Sequence, residues 1–184
     1  MTGQQQQQTI IDWIEQDPMR MLALRTAHEL GLNDWCLAAG FVRNLVWDRL
    51  HELAEPTPLN DIDVIYFDSQ DISGATEKSL EERLRIAALL PWSVKNQARM
   101  HVLHGHAPYA SSSEAMSYWV ETETVIGAML NRSGKVELVA PLGTTELFEF
   151  SITANPRHGN PQVMLERASS KDWLTRWPRL QLKM

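Results

Sequence analysis

Between residues 9 and 53 the apolar positions keep helical spacing in successive blocks. Ile10, Ile11, Trp13 and Ile14 predict a short helix that stops before Asp17-Pro18. Asp17 suits an N-cap and Pro18 the first helical position, so a second helix starts there with Met21, Leu24, Arg25 and His28 along one stripe. Gly31 closes it as a left-handed C-cap. Trp35-Cys36-Leu37-Ala38-Ala39 predicts a short buried strand ended by Gly40. Beyond it Val42, Leu45, Val46, Leu50 and Leu53 return to the spacing of one helix face.

The pattern then changes from period 3.6 to period 2. Glu55-Pro56-Thr57-Pro58 is a stiff loop leading into Asn60-Asp61-Ile62-Asp63-Val64-Ile65-Tyr66-Phe67-Asp68, a β-forming run. Ser79 and Glu82 predict a capping box for a helix through Leu80, Leu84 and Ala87 that Pro91 terminates. A third strand over residues 92–101 puts Val94, Asn96, Ala98 and Met100 on one face and Lys95, Gln97, Arg99 and His101 on the other. Ser111 with Glu114 caps a short helix through Trp119. Thr122 to Leu130 and Lys135 to Ala140 flank Asn131-Arg132-Ser133-Gly134, the turn of a β-hairpin. Thr144 to Phe150 reads as helical, Asn155 to Pro161 as a loop, and Met164 to Ala168 as part of a final helix before a Trp-rich, basic end.

Composition narrows the class. A chain of 184 residues with 43% hydrophobic and 22% charged residues can build one substantial core, and residues 9–184 are expected to form a single domain. Gln4 to Gln8 carry no apolar surface, so residues 1–8 are expected to be a disordered tail. The single Cys36 excludes an internal disulfide framework and reads as a small buried residue in a reducing compartment. No run is long enough to span a membrane and no signal segment opens the chain, so the expected location is the cytoplasm. A net charge of -6 argues against a broad basic face for nucleic acid.

Candidate chemistry gathers at two places. Asp61 and Asp63 stand at i and i+2 in a strand and share a face, opposite Ile62 and Val64. Like charges so close disfavour ionisation. A divalent cation removes that cost, since Mg²⁺ prefers one or two carboxylates plus substrate phosphates; the bland alternative is a solvated strand entrance. The junction strand, Gly40, helix aims free backbone N–H groups above the sheet, where small Gly40 lets a phosphate approach and Arg43 and Asn44 in the first turn can help hold it. His101, His104 and His106 invite a zinc reading, but His104-Gly105-His106 looks like a loop rather than a rigid frame for three ligands.

Strand, glycine, helix, strand with Asp-x-Asp, helix, strand is the order of the polymerase-beta-like nucleotidyltransferase core. Ala39-Gly40-Phe41-Val42-Arg43-Asn44 followed by Asn60-Asp61-Ile62-Asp63-Val64 resembles the Gly-Gly-x-Val-Arg-Asp and Asp-x-Asp signatures of the CCA-adding tRNA nucleotidyltransferases. Ala39 stands where that family has its first glycine and Asn44 where it has aspartate. Through Asn96 to His101, Glu121-Thr122, Ala140 to Gly143 and Asn155-Pro156, the chain resembles a small bacterial family of nucleotidyltransferase-like proteins over roughly residues 15–180.

The resemblance implies an α/β, or mixed α+β, fold with a mixed sheet flanked by helices and an added β-hairpin. It implies two Mg²⁺ ions, replaceable by Mn²⁺, with Asp61 and Asp63 as metal ligands, and a nucleotidyl group passing from a nucleoside triphosphate to an unidentified acceptor as pyrophosphate leaves. Gly40 and Phe41 would cradle phosphates, and Arg43, Asn44, Asn96 and Arg99 would complete the nucleotide-binding set. The superfamily places a third carboxylate on the next strand, where residues 92–101 have none. Glu121 is the expected substitute, ahead of Glu137, and Asn96 could offer only a carbonyl oxygen. The alternatives are a nucleotide-binding or regulatory module without turnover, or a protein-interaction domain using the Trp-rich end.

Overall fold

The computed structural model describes residues 1–184. Its centre is a five-stranded mixed sheet in the order β3-β2-β1-β4-β5, formed by β1 (Cys36–Ala38), β2 (Ile62–Tyr66), β3 (Trp92–Asn96), β4 (Gly127–Leu130) and β5 (Val136–Val139). β2 and β3 run parallel, and the other neighbours are antiparallel. The predicted hairpin is β4–β5, and it extends this sheet rather than standing apart. β4 can lie against β1 because Gly127 has no side chain: a Cβ there would sit 2.4 Å from the Cys36 sulfur.

Helices α1 (Gly3–Glu15), α2 (Pro18–His28), α3 (Gly40–Leu50) and α4 (Gly74–Ala87) cover one face. Alternation in the strands supplies the matching surface, with Leu37, Ile62, Val64, Tyr66, Trp92 and Val94 in the main core. The opposite face carries Cys36, Ala38 and Ile65, packed against Met116 of the short helix α6 (Ser112–Met116). It also carries Asp63, paired across the sheet with Ala38.

A separate apolar cluster is built at the C-terminal end of the chain. There α7 (Pro161–Ser170) and α8 (Trp173–Arg176) bring Met164, Trp173 and Trp177 against Trp47 of α3 and Ile152 of β6 (Ser151–Thr153). β6 pairs in parallel with β7 (Gln181–Lys183).

Several expectations are corrected. The segment over residues 1–8 is the start of α1, not a disordered tail. Thr2 and Gln5 form a reciprocal capping box, and buried Gln6 accepts a hydrogen bond from the Thr144 hydroxyl at 3.0 Å. The buried stripe of α2 is Arg20, Ala23, Leu24 and Ala27 rather than Met21, Leu24, Arg25 and His28. Arg20 is buried with most of its head satisfied, Nη1 pairing with Asp17 and Nε donating to the Phe41 carbonyl at 2.8 Å, while Nη2 has no partner.

Helix α4 is capped by Ser73, whose side chain accepts from the Thr76 amide, so the Ser79–Glu82 pair lies inside it. β3 ends at Asn96, followed by a 3₁₀ turn over Gln97–Arg99 and the short helix α5 (His101–His104). Of Thr144 to Phe150, only Glu146–Phe148 is helical, as a single 3₁₀ turn. No helix is long and apolar enough to cross a membrane.

Candidate active site

The junction from β1 into α3 turns at Ala39, whose φ of 56° and ψ of -119° lie where glycine is favoured. The Ala39 carbonyl receives the Val42 and Arg43 amides. The Gly40 and Phe41 amides remain as the free donors of a helix start. The Phe41 ring itself is in the main core, so only its backbone can meet a ligand there.

Next to this helix start stand Asp61, exposed and immediately before β2, and Asp63, partly buried within it; two apart in extended chain, they share a face. The Asp63 carboxyl is pushed up to about 6, first by burial and then by the negative charge of Asp61, against opposing hydrogen bonding by Ser93 and attraction from Lys171 and Arg43. Two adjacent acids, one of them already resisting ionisation, are a donor set that a divalent cation stabilises. Mg²⁺ bound through two carboxylates fits it, because water and phosphate oxygens can complete the octahedron.

The residue in register with Asp63 on β3 is Ser93, and Ile65 pairs with Lys95. The position where a third acid was sought is therefore a hydroxyl followed by an ammonium. No group of three His, Cys, Asp or Glu side chains is arranged to hold a metal.

Glu121 does not reach β3 beside Asp63. It precedes β4, on the other side of β1, and is fully buried. Its carboxylate accepts from Arg167 Nε at 2.6 Å and from the Thr124 hydroxyl at 2.9 Å. Glu121 thus positions Arg167. Glu137 is exposed on the edge strand β5.

Asn96 is also reassigned. Its side-chain oxygen accepts from the Asp68 and Ala98 amides, and its amide group donates to the Asp68 and Asp71 carbonyls at 2.7 and 2.8 Å. All of its hydrogen-bonding capacity is spent tying the ends of β2 and β3 together, which leaves none for a nucleotide. Arg99 is locked to buried Glu77 by two bonds of 2.7 and 2.6 Å. Burial opposes ionisation of Glu77, but hydrogen bonds from Arg99 and the Asn96 amide outweigh it and hold the carboxyl below its ordinary range.

Arg43 is where its place in the first turn suggested, though buried rather than exposed. Its guanidinium donates to the Thr124 hydroxyl and to the Asn44 side-chain oxygen, both at 2.9 Å, and stacks over Trp173 and Trp47 at 4.4 and 5.0 Å. Asn44 therefore acts by orienting Arg43. Burial brings the guanidinium down to about 10, against the pull of Glu121, and Nε has no partner.

These groups surround a cavity of about 240 Å³ that holds Gly40, Asp61 and Asp63 together with four cations, Arg43, Arg167, Lys171 and Arg176. Arg167, Lys171, Trp173 and Arg176 come from α7, α8 and the two-residue link between them, and sequence reading did not single them out. The available signal was the basic, Trp-rich character of the C-terminal end. A second cavity, of about 310 Å³, shares Ala39, Asp63, Thr124 and Arg167 with the first and extends towards Ile65 and Lys95.

Comparison with known proteins identifies the family and the fold. A family model described as nucleotidyltransferase matches residues 25–182. A protein whose NMR structure was described as revealing a CCA-adding enzyme head domain is 35% identical, with a TM-score of 0.81, over 96% of this chain and 95% of that one. A CCA-adding enzyme solved in complex with CTP is 14% identical with a TM-score of 0.54; 92% of this chain covers 48% of that chain, a likeness of fold alone. No protein of curated function matches the chain. The mixed sheet flanked by helices is that of a nucleotidyltransferase head domain. With the family model covering most of its length, this chain belongs to the nucleotidyltransferase family.

Proposed function

We propose that the protein transfers a nucleotidyl group from a metal-bound nucleoside triphosphate, with the triphosphate lying in the cavity between Asp61, Asp63 and the four cations. The observation that carries this is the juxtaposition of opposite charges. Two carboxylates at the entrance of β2 face Arg43, Arg167, Lys171 and Arg176 across a space of about 240 Å³ at the start of an eleven-residue helix. Cations alone would suit any anion, and carboxylates alone any cation. Together they suit a polyanion that arrives with its own metal.

Asp61 and Asp63 would hold the metal, and the Gly40 and Phe41 amides would receive phosphate oxygens at the positive end of α3. Arg43 is rigid, fixed by Thr124, Asn44 and two indoles, and sets a fixed positive charge in the cavity wall. Lys171 and Arg176 are exposed and neutralise the outer phosphates. Bound Mg²⁺ would neutralise charge on the phosphoryl oxygens and lower the pKa of an attacking hydroxyl.

Calorimetric titration with CTP and ATP in Mg²⁺ tests the assignment. Asp61→Asn should remove metal-dependent binding, and Arg176→Gln should weaken it by roughly 1 kcal/mol, the scale of an exposed charged contact. Unchanged affinity in both variants would remove the triphosphate from this cavity. Ser93 in the third-acid position favours a second reading, a nucleotide-binding module without turnover. Pyrophosphate release in Mg²⁺ or Mn²⁺ separates the two: accumulation above the Asp63→Asn background supports transfer, and its absence with intact binding supports the module.

A further inference from the structure

We propose that the second cavity is the acceptor site, and that the acceptor is a single small molecule with a flat ring, a nucleophilic hydroxyl and an anionic substituent. The proposal rests on the triphosphate reading above and adds the class of the other substrate. Along one face of β2, Asp61 lines the first cavity, Asp63 lines both, and Ile65 lines the second. Residues two apart on a strand are displaced by roughly 6.5 Å, so the cavities lie on either side of Asp63 along the strand. Phosphoryl transfer is in line, with attacking and leaving oxygens on opposite sides of the phosphorus. A pyrophosphate leaving into the first cavity therefore requires the attacking hydroxyl to enter from the second. Its oxygen bonds to the α-phosphorus, the bond to the bridging oxygen breaks, pyrophosphate leaves with that electron pair, and the hydroxyl proton passes to solvent.

The walls of the second cavity state what fits. Tyr109 and Tyr118 are stacked, with centroids 5.6 Å apart, and with Trp119 and Met100 they form an apolar, aromatic lining suited to a ring. His158 also lines it, and its buried Nδ1 has no partner. Lys95 supplies a spare cation: its ammonium is 3.8 Å from a Glu77 oxygen, but that carboxylate is already filled by Arg99 and the Asn96 amide. Asp63, at the boundary with the first cavity, is the one acid lining the second. A volume of about 310 Å³ is at the small end of the range for small-molecule pockets.

An RNA end would need a track of Lys and Arg leading away from the cavity. Around this cavity, Arg99 is locked to Glu77, and Arg157 lies over Tyr118 while bonding the Ser117 hydroxyl at 2.7 Å. The neighbouring helix α5 exposes Val102 and Leu103. Such surroundings suit a compact organic molecule better than a phosphate backbone.

Two-dimensional NMR on the ¹⁵N-labelled full chain, in Mg²⁺ with the non-transferable analogue α,β-methylene-ATP, provides the test. The analogue should shift the amides of Gly40, Asp61, Lys171 and Arg176. Its failure to do so overturns the triphosphate reading. Hydroxyaryl carboxylates, beginning with 4-hydroxybenzoate, are then added to the saturated complex. They should shift Lys95, Gln97, Trp119 and His158, and Lys95→Gln should weaken them roughly tenfold, on the scale of one charge-assisted hydrogen bond, without changing analogue affinity. The acceptor proposal falls if none of these ring compounds moves that second set. It also falls if the analogue alone moves it, which would make the cavity a nucleobase pocket, or if a short single-stranded RNA moves it and displaces the ring compound.

Discussion

At the scale of single residues, the site is a set of local costs with identifiable compensation. Ala39 adopts a backbone conformation that costs an L-residue about 1–3 kcal/mol, at the turn that aims the start of α3 over the sheet. Ala39→Gly removes that strain but adds unfolded-state entropy, so a net gain of about 1 kcal/mol is expected, read as a higher denaturant midpoint with unchanged slope. Asp63 carries a second cost. Its carboxyl titrates at about 6 in the folded state against an ordinary 3.8, so between these values the folded state binds the proton first. Stability of the metal-free protein should therefore rise as pH falls through this window, and the full penalty, at most about 3 kcal/mol, applies above it. Asp63→Asn should flatten the dependence and raise stability in EDTA at pH 7.5, measured by chemical denaturation at several pH values. A slope unchanged by the substitution would locate the effect elsewhere.

At the scale of elements, polar residues decide what apolar spacing leaves open. Composition alone predicts that the glutamine run does not order itself, because nothing in it buries apolar area. The structure instead extends α1 backwards from Ile10 and Ile14, adds the Thr2–Gln5 capping box, and gives Gln6 a buried partner in Thr144. Deletion of residues 1–8 should thus lower stability by about 1–2 kcal/mol, a fall in Tm of a few degrees for a chain of this size, followed by calorimetry. The Asp17-Pro18 helix start, the Ser111 cap and the β4–β5 hairpin were legible because each is specified by residues adjacent in the chain. The end of β3 was not legible. Asn96 leaves the strand by capping the following 3₁₀ turn, and its four hydrogen bonds reach residues more than twenty positions away as well as next door.

At the scale of the whole molecule, the C-terminal segment closes the site built by the sheet. Glu121 fixes Arg167, and the Trp177 indole donates to Asp48 at 2.8 Å, which fastens this segment to α3. Glu121→Gln should cost about 1–2 kcal/mol, because the buried carboxylate loses its charged bond while partly exposed Arg167 can turn to water, and should weaken triphosphate binding by loosening Arg167. Denaturation and calorimetric titration of the same variant measure both effects. A variant that is destabilised yet binds nucleotide at full affinity would confine Glu121 to a structural role.

Sequence by itself determined the acidic pair, its shared face, the strand–glycine–helix junction and the order of the core elements. Each follows from backbone periodicity or turn chemistry acting over a few residues. Tertiary structure decided which charged groups meet. Asn96 and Arg99 sit in the matching segment but are satisfied internally, whereas Arg167, Lys171 and Arg176 converge on Asp61 and Asp63 from more than a hundred residues away. Glu121 is drawn to Arg167 instead of a metal because a buried carboxylate is stabilised by the nearest cation that can donate hydrogen bonds to it, and chain spacing carries no information about which cation that will be.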